Sequence, residues 1–429
     1  MAASTQAATP EGMPTDLATV PRAVLEADPH AVLARHRAAV PCIRTDDGAV
    51  MVLRARDVQA LVTDPRTRQV ETEFARLRGI TAGPLFEFFR QTVLLSNGEV
   101  HRRRRAPIAR TFAFQVVASL RPRIRDLAEA LLAEHQPRGR MDLLADYAAP
   151  LPARAIALIL GLPARDVPDF TAWVYAMSRA LTSAWTPAEY PEADEAARRL
   201  LGYVEDLVAE RRRAPRDDLI SALLPSIDED DPEAAAEARM QIVSLIVAGS
   251  DTTRAALAIQ TGLLLAHRSQ WEAVCRDEGL IPGAVAEALR FEPAVGSFPR
   301  FALSDIPLDG AVLPAGALLS LSTLSAMRDP ALYADPDVFD IRRTDHPRWH
   351  MVFGGGVHRC LGEALARIEL EEGLRALTRR LPDLRPDRPL TVRGSAAIRR
   401  VDELPVSWPG GEGSAEAERS APARAGWPM

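Results

Sequence analysis

Lysine is missing from this chain of 429 residues, so all 52 of its basic side chains are arginine. Without lysine there is no Schiff-base amine and no phosphate-binding P-loop lysine, and two large enzyme classes are excluded. An arginine-only basic set fits a GC-rich bacterial gene. Cysteine is nearly as scarce. Cys42, Cys275 and Cys360 are too few and too scattered for a disulfide framework or a zinc cluster, which points to a reducing cytoplasm. No stretch reads as a membrane anchor, and residues 1–20 lack the basic start and apolar run of a signal peptide. An excess of positive charge is absent too: with 58 acidic residues the formal net charge is −6, which gives no general attraction to nucleic acid.

What is present is ample material for a core, with 47% hydrophobic residues. The small, polar segment 1–20 and the Gly/Ala/Ser/Glu/Arg tail 409–429 have little to bury and are expected to be disordered, leaving one domain over 21–408. Near its start, Asp46-Asp47-Gly48 between apolar alternations reads as a hairpin. Segments from about Arg121 to Ala214 are Ala- and Leu-rich with a helical period, broken by prolines into a succession of helices. A longer helix follows, roughly Glu233 to His267, about 50 Å at 1.5 Å per residue.

Four motifs carry chemistry. Phe353-Gly354-Gly355-Gly356-Val357-His358-Arg359-Cys360-Leu361-Gly362 is a glycine-rich loop running into an amphipathic helix. A thiolate there would lie at a positive helix end among free backbone N–H groups, both of which favour the anion. Ala248-Gly249-Ser250-Asp251-Thr252-Thr253 places a glycine, an acid and two β-branched alcohols inside an otherwise apolar helix. Each disfavours helix, and a local conflict of this kind marks a functional site or, more blandly, a kink. His101-Arg102-Arg103-Arg104-Arg105 puts His101 and Arg105 one turn apart on one face, with Pro107 expected to break the helix just beyond. Glu287 and Arg290 form an i, i+3 pair, commonplace when exposed.

Taken together, the spacing Phe-x-x-Gly-x-His-x-Cys-x-Gly, the Ala248–Thr253 hexapeptide and the Glu-x-x-Arg pair resemble the cytochrome P450 family, over roughly residues 21–408. The resemblance implies a mainly α fold with small β-sheets and haem b held between the long central helix and the cysteine loop. Cys360 would be the iron ligand, the proximal thiolate of that family. Phe353, Gly354 and Gly362 would shape its loop, and Ala248 would face the haem. His101, Arg105, Arg300 and His358 would meet the propionates, and Asp251 and Thr252 would relay protons. Glu287, Arg290 and Arg343 would form a structural triad. Substrate would lie among Phe86, Phe88 and Phe89 of a lid, Leu245 and Ala248, Val295 and Phe298, and Ile398. All are apolar, so a neutral, largely hydrophobic molecule is expected, oxidised with O2 by hydroxylation or epoxidation in natural-product tailoring or catabolism. Electrons would come from NAD(P)H through a ferredoxin reductase and a ferredoxin docking near Arg102, Arg103, Arg104 and Arg359, to a monomer without membrane anchor. Two alternatives remain at this point: a peroxide-driven or oxidative-coupling member of the superfamily, and a non-catalytic haem-fold domain that recruits partners.

Overall fold

One helix crosses the molecule, and the rest packs along it. In the computed structural model, which describes residues 17–111, 118–181, 186–227 and 230–409, this helix spans Pro232–Ala266, 35 residues, within a residue of the extent read from the sequence. Its start is set by Asp231, whose carboxylate accepts from the N–H groups of Glu233 and Ala234, with Pro232 at the position where a missing N–H costs nothing. It ends where the N–H of His267 closes onto Leu263 and Leu264. By length and composition it could cross a membrane, yet it is mostly buried inside the protein.

Two apolar cores meet on this helix. Met240, Ile242, Val243, Ile246 and Val247 belong to one, shared with helices Pro150–Leu160, Val167–Arg179 and Tyr190–Arg213. Ala255, Leu257, Ile259 and Leu264 belong to the other, shared with helices Arg121–His135 and Glu363–Arg380 and with the main sheet. The polar stretch 248–254 falls between the two. Several of the prolines that break the sequence pattern stand at helix starts, Pro150 and Pro168 among them.

The main sheet has six strands in the order Thr19–Val20, Cys42–Thr45, Val50–Val52, Leu318–Ser322, Ser297–Ala302 and Thr67–Arg68. Its antiparallel pair Cys42–Thr45 and Val50–Val52 is the expected hairpin, with Gly48 at φ +85° in the turn. Thr19 and Val20, inside the segment expected to be disordered, instead pair in parallel with Arg44 and Thr45. The remainder of that segment, 1–16, and the tail 410–429 lie outside the described residues. A second difference concerns Pro107: helix Gly98–Thr111 runs through it, because one missing hydrogen bond does not outweigh the packing of the helix.

Candidate active site

A cavity of about 1060 Å³ lies beside the middle of the central helix, and Cys360 lines it. The loop that presents Cys360 is tied to itself: the Cys360 N–H donates to the Phe353 carbonyl at 2.8 Å and the Gly354 N–H to Met351 at 2.8 Å. Gly354 and Gly356 adopt φ +68° and +61°, a left-handed backbone that side chains resist. Helix Glu363–Arg380 begins three residues after the cysteine. Burial pushes the Cys360 thiol pKa up, while the Gly362 backbone N–H and the nearby Arg105 and Arg359 oppose this. Arg359 fastens the loop by donating to the Gly354 carbonyl at 2.9 Å and to Glu363 at 2.5 Å.

Along one wall lie Arg105, Arg300 and His358, with the His101 ring centroid 4.0 Å from that of His358. Arg105 donates to the Arg359 carbonyl at 2.6 Å and Arg300 to the Pro299 carbonyl at 2.9 Å. No carboxylate pairs with either among the described residues. Desolvation brings Arg300 down to about 10. Burial first, then neighbouring positive charge, holds His101 at about 4 and His358 at about 3. The His101 Nε2 is buried without a partner. Four basic side chains around one wall, with an orphaned imidazole nitrogen and no acid, fit a ligand that brings its own carboxylates. The two propionates of haem meet that requirement, and Cys360 meets the need for a thiolate ligand.

On the central helix, Ala248 and Thr252 face the cavity. The Thr252 hydroxyl donates to the Ala248 carbonyl at 3.4 Å. Gly249 serves packing as well, since a Cβ there would come within 3.0 Å of Ile156 on helix Pro150–Leu160. Asp251 is not on the cavity wall. It is buried on another face, where its carboxylate accepts from Arg254, whose guanidinium lies 3.9 Å from the Tyr175 ring centroid. Sequence reasoning missed Arg254 and Tyr175. It also missed Glu369, which lines the cavity from helix Glu363–Arg380 with burial holding its carboxyl well above the usual range. An acid between Ile368 and Leu370 on the buried stripe was the available signal.

Glu287, Arg290 and Arg343 come together as a triad. The Glu287 and Arg290 side chains are fully buried, with Arg290 donating to both carboxylate oxygens at 2.7 and 2.8 Å and Arg343 reaching them at 3.2 and 3.3 Å. Arg290 also donates to the Met327 and Pro336 carbonyls, so the triad grips the segment leading to the cysteine loop. His346, missed in the sequence, stands 3.6 Å from Glu287.

Of the pocket residues expected, Leu245, Ala248, Val295, Phe298 and Ile398 line the cavity, and Val295 and Ile398 are bridged backbone to backbone. Phe86, Phe88 and Phe89 do not. They are buried in the helical core, where Pro84–Gln91 packs on Tyr190–Arg213, and Phe74, Leu94 and Leu95 stand in the wall instead. The arginine run is also less available than its sequence implies. Arg104 is buried and shares Glu237 with Arg103, while Arg102 stays exposed and pairs with Glu99.

Comparison with known proteins identifies the family. A family model for cytochrome P450 matches residues 169–381. The chain is 44% identical over 389 residues to the plant-inducible cytochrome P450-pinF1 of Rhizobium radiobacter, covering 90% of this chain and 92% of that one. It is 36% identical over 369 residues to the mycinamicin IV hydroxylase/epoxidase of Micromonospora griseorubida, covering 84% and 89%. Among solved structures, myxobacterial cytochrome P450 CYP267B1 in complex with myristic acid superposes with a TM-score of 0.82 at 35% identity, covering 90% of this chain and 97% of that one. Fold and relatives define a haem-thiolate oxidoreductase. The chain belongs to the cytochrome P450 family and is a monooxygenase enzyme, with the haem, O2 and reductant electrons which that family requires.

Proposed function

We propose that this monooxygenase inserts one oxygen atom of O2 into a largely hydrophobic small molecule, by hydroxylation or epoxidation, in natural-product tailoring or catabolism. The observation that carries the reading is one cavity lined both by Cys360 and by Ala248 and Thr252, with largely apolar walls that include Leu245, Val295, Phe298 and Ile398. Relatives named for N-oxygenation and for hydroxylation and epoxidation support that class of chemistry. Haem, when bound, supplies the activation of O2. Cys360 would ligate its iron, and Arg105, Arg300, His101 and His358 would hold its propionates. The Thr252 hydroxyl would hold a proton at the cavity, and Asp251, paired with Arg254 on another face, would be the second member of the relay. The peroxide-driven and silent-domain alternatives are disfavoured by an intact acid, alcohol and cysteine.

Electrons are proposed to arrive from NAD(P)H through a ferredoxin reductase and a ferredoxin, to a monomer in the cytoplasm. The face beside the cysteine loop suits such a donor: Trp349 and Val357 are 62% and 67% exposed there, and Arg359 lies 4.7 Å from the Trp349 ring centroid.

The decisive experiment is spectroscopic. Reduced protein under carbon monoxide should show the red-shifted Soret band of thiolate ligation, and Cys360→Ala should abolish it. A wild-type band at the position of histidine-ligated haem would sink the assignment.

A further inference from the structure

Arg254 stands one turn beyond Asp251 on the central helix and is the ion-pair partner that keeps this acid off the cavity wall. The Asp251 side chain is 5% exposed and that of Arg254 19%, so the arginine is the nearer of the two to solvent. One face of its guanidinium is covered by Tyr175 of helix Val167–Arg179, whose ring centroid lies 3.9 Å away.

The attachment is a light one. Among the described residues the Arg254 guanidinium donates to Asp251 alone, through Nη2, and its Nε is buried without a partner, as is the Tyr175 hydroxyl. Arg290 of the triad is the contrast, since it donates to both oxygens of Glu287 and to the Met327, Pro336 and Val338 carbonyls. A guanidinium that fixes a fold uses its whole fork, whereas Arg254 uses one donor and leaves another desolvated. Little movement is needed to exchange partners. A change of χ1 well turns an aspartate carboxylate by about 120°, and the next residue, Thr252, lines the cavity.

We propose that Arg254 is the positioning residue of the proton relay, a restraint that holds the Asp251 carboxylate off the cavity between deliveries, with Tyr175 holding Arg254 in turn. Each delivery then balances. The carboxylate takes one proton from solvent beside Arg254, which cancels its charge and its attraction to the guanidinium. It turns toward Thr252 and gives that proton to the hydroxyl as the hydroxyl passes its own into the cavity. The carboxylate returns to Arg254 as the anion it was. The inference rests on the relay proposed above and adds the residue that sets its pace.

The test uses haem-loaded enzyme, a surrogate ferredoxin and its reductase at saturation, and a compound that gives the low-to-high spin shift. Arg254→Gln should raise kcat about fivefold, the order of losing one partly exposed ion pair, while the affinity read from the spin shift stays as in wild type. Tyr175→Leu should give a smaller gain in the same direction. Adding Asp251→Asn to Arg254→Gln should abolish the gain and return the slow rate of Asp251→Asn alone. Crystals of Arg254→Gln give a readout free of turnover: the Asp251 carboxylate should have left its wild-type position for the Thr252 side. An Arg254→Gln enzyme that is slowed or unchanged overturns the proposal, as does an Asp251 carboxylate that keeps its position without the arginine. Should Arg254→Gln fail to fold, Tyr175→Leu decides by the same two readouts. Failure of the relay itself is separate, since Asp251→Asn would then turn over at the wild-type rate.

Discussion

Thr252 and Asp251 are adjacent in sequence and therefore about 100° apart around the helix, so their side chains point in different directions. Thr252 faces the cavity, and Asp251 is held by Arg254 on another face. The hexapeptide was legible because four helix-disfavouring residues interrupt an apolar run. Its internal geometry was not, because Arg254 and Tyr175 act through a contact between two helices distant in sequence. Thr252→Ala should retain haem and substrate but divert reducing equivalents to peroxide, measured as product formed per NAD(P)H consumed. Asp251→Asn should slow turnover itself, and unchanged rate and coupling in both variants would remove the relay. Glu369 gives a stability prediction. Burial raises the pKa of its native carboxyl, while in the unfolded chain it ionises above about pH 4.3. The native state then binds more protons, so its contribution to stability is full below that pH and declines as pH rises toward the folded pKa. Glu369→Gln abolishes this decline, and its stability relative to wild type should increase from pH 5 to pH 8 in urea unfolding. A difference independent of pH would show that Glu369 is ionised in the fold.

At the scale of elements, the triad explains how a loop rich in glycine holds a defined shape. Glu287 and Arg290 sit on helix Ile281–Phe291, while Arg343 and the carbonyls of Met327 and Pro336 come from the irregular segment that precedes the cysteine loop. Removing one member leaves a buried charge without its partner. Arg290→Ala should cost about 3–5 kcal/mol, and little haem-loaded protein should be recovered. A normal yield and spectrum would mean that the segment is held by other contacts. The central helix was readable to within a residue, since 35 residues of sustained apolar pattern with a capping acid leave few other structures. The phenylalanines of Pro84–Gln91 were misplaced for a physical reason. An aromatic cluster signals a dry environment, and neither periodicity nor composition separates a helix core from the wall of a cavity. Pro107 likewise shows a local rule yielding to tertiary packing.

Across the whole molecule, charge is arranged on two surfaces with different consequences. On the outer face, Arg104 is buried against Glu237, whereas Arg102, paired with the exposed Glu99, and Arg348 beside Trp349 are exposed and could meet the proposed acidic electron donor. Reduction by a ferredoxin should slow as salt rises, since exposed charges are screened over roughly 8–10 Å. Arg102→Glu and Arg348→Glu should slow it further, whereas stopped-flow rates indifferent to both changes would move the docking face elsewhere. The inner surface is the cradle of Arg105 and Arg300, with His101 and His358 neutral beside them. Without a dianion, the folded chain carries two interior cations and violates local electroneutrality. On the proposed propionate assignment, the porphyrin's two carboxylates would neutralise this interior charge, and the binding free energy of the cofactor would add to that of folding. Haem whose propionates are methyl esters would offer the same ring and iron without the charge. It should raise the unfolding temperature of the chain far less than native haem does.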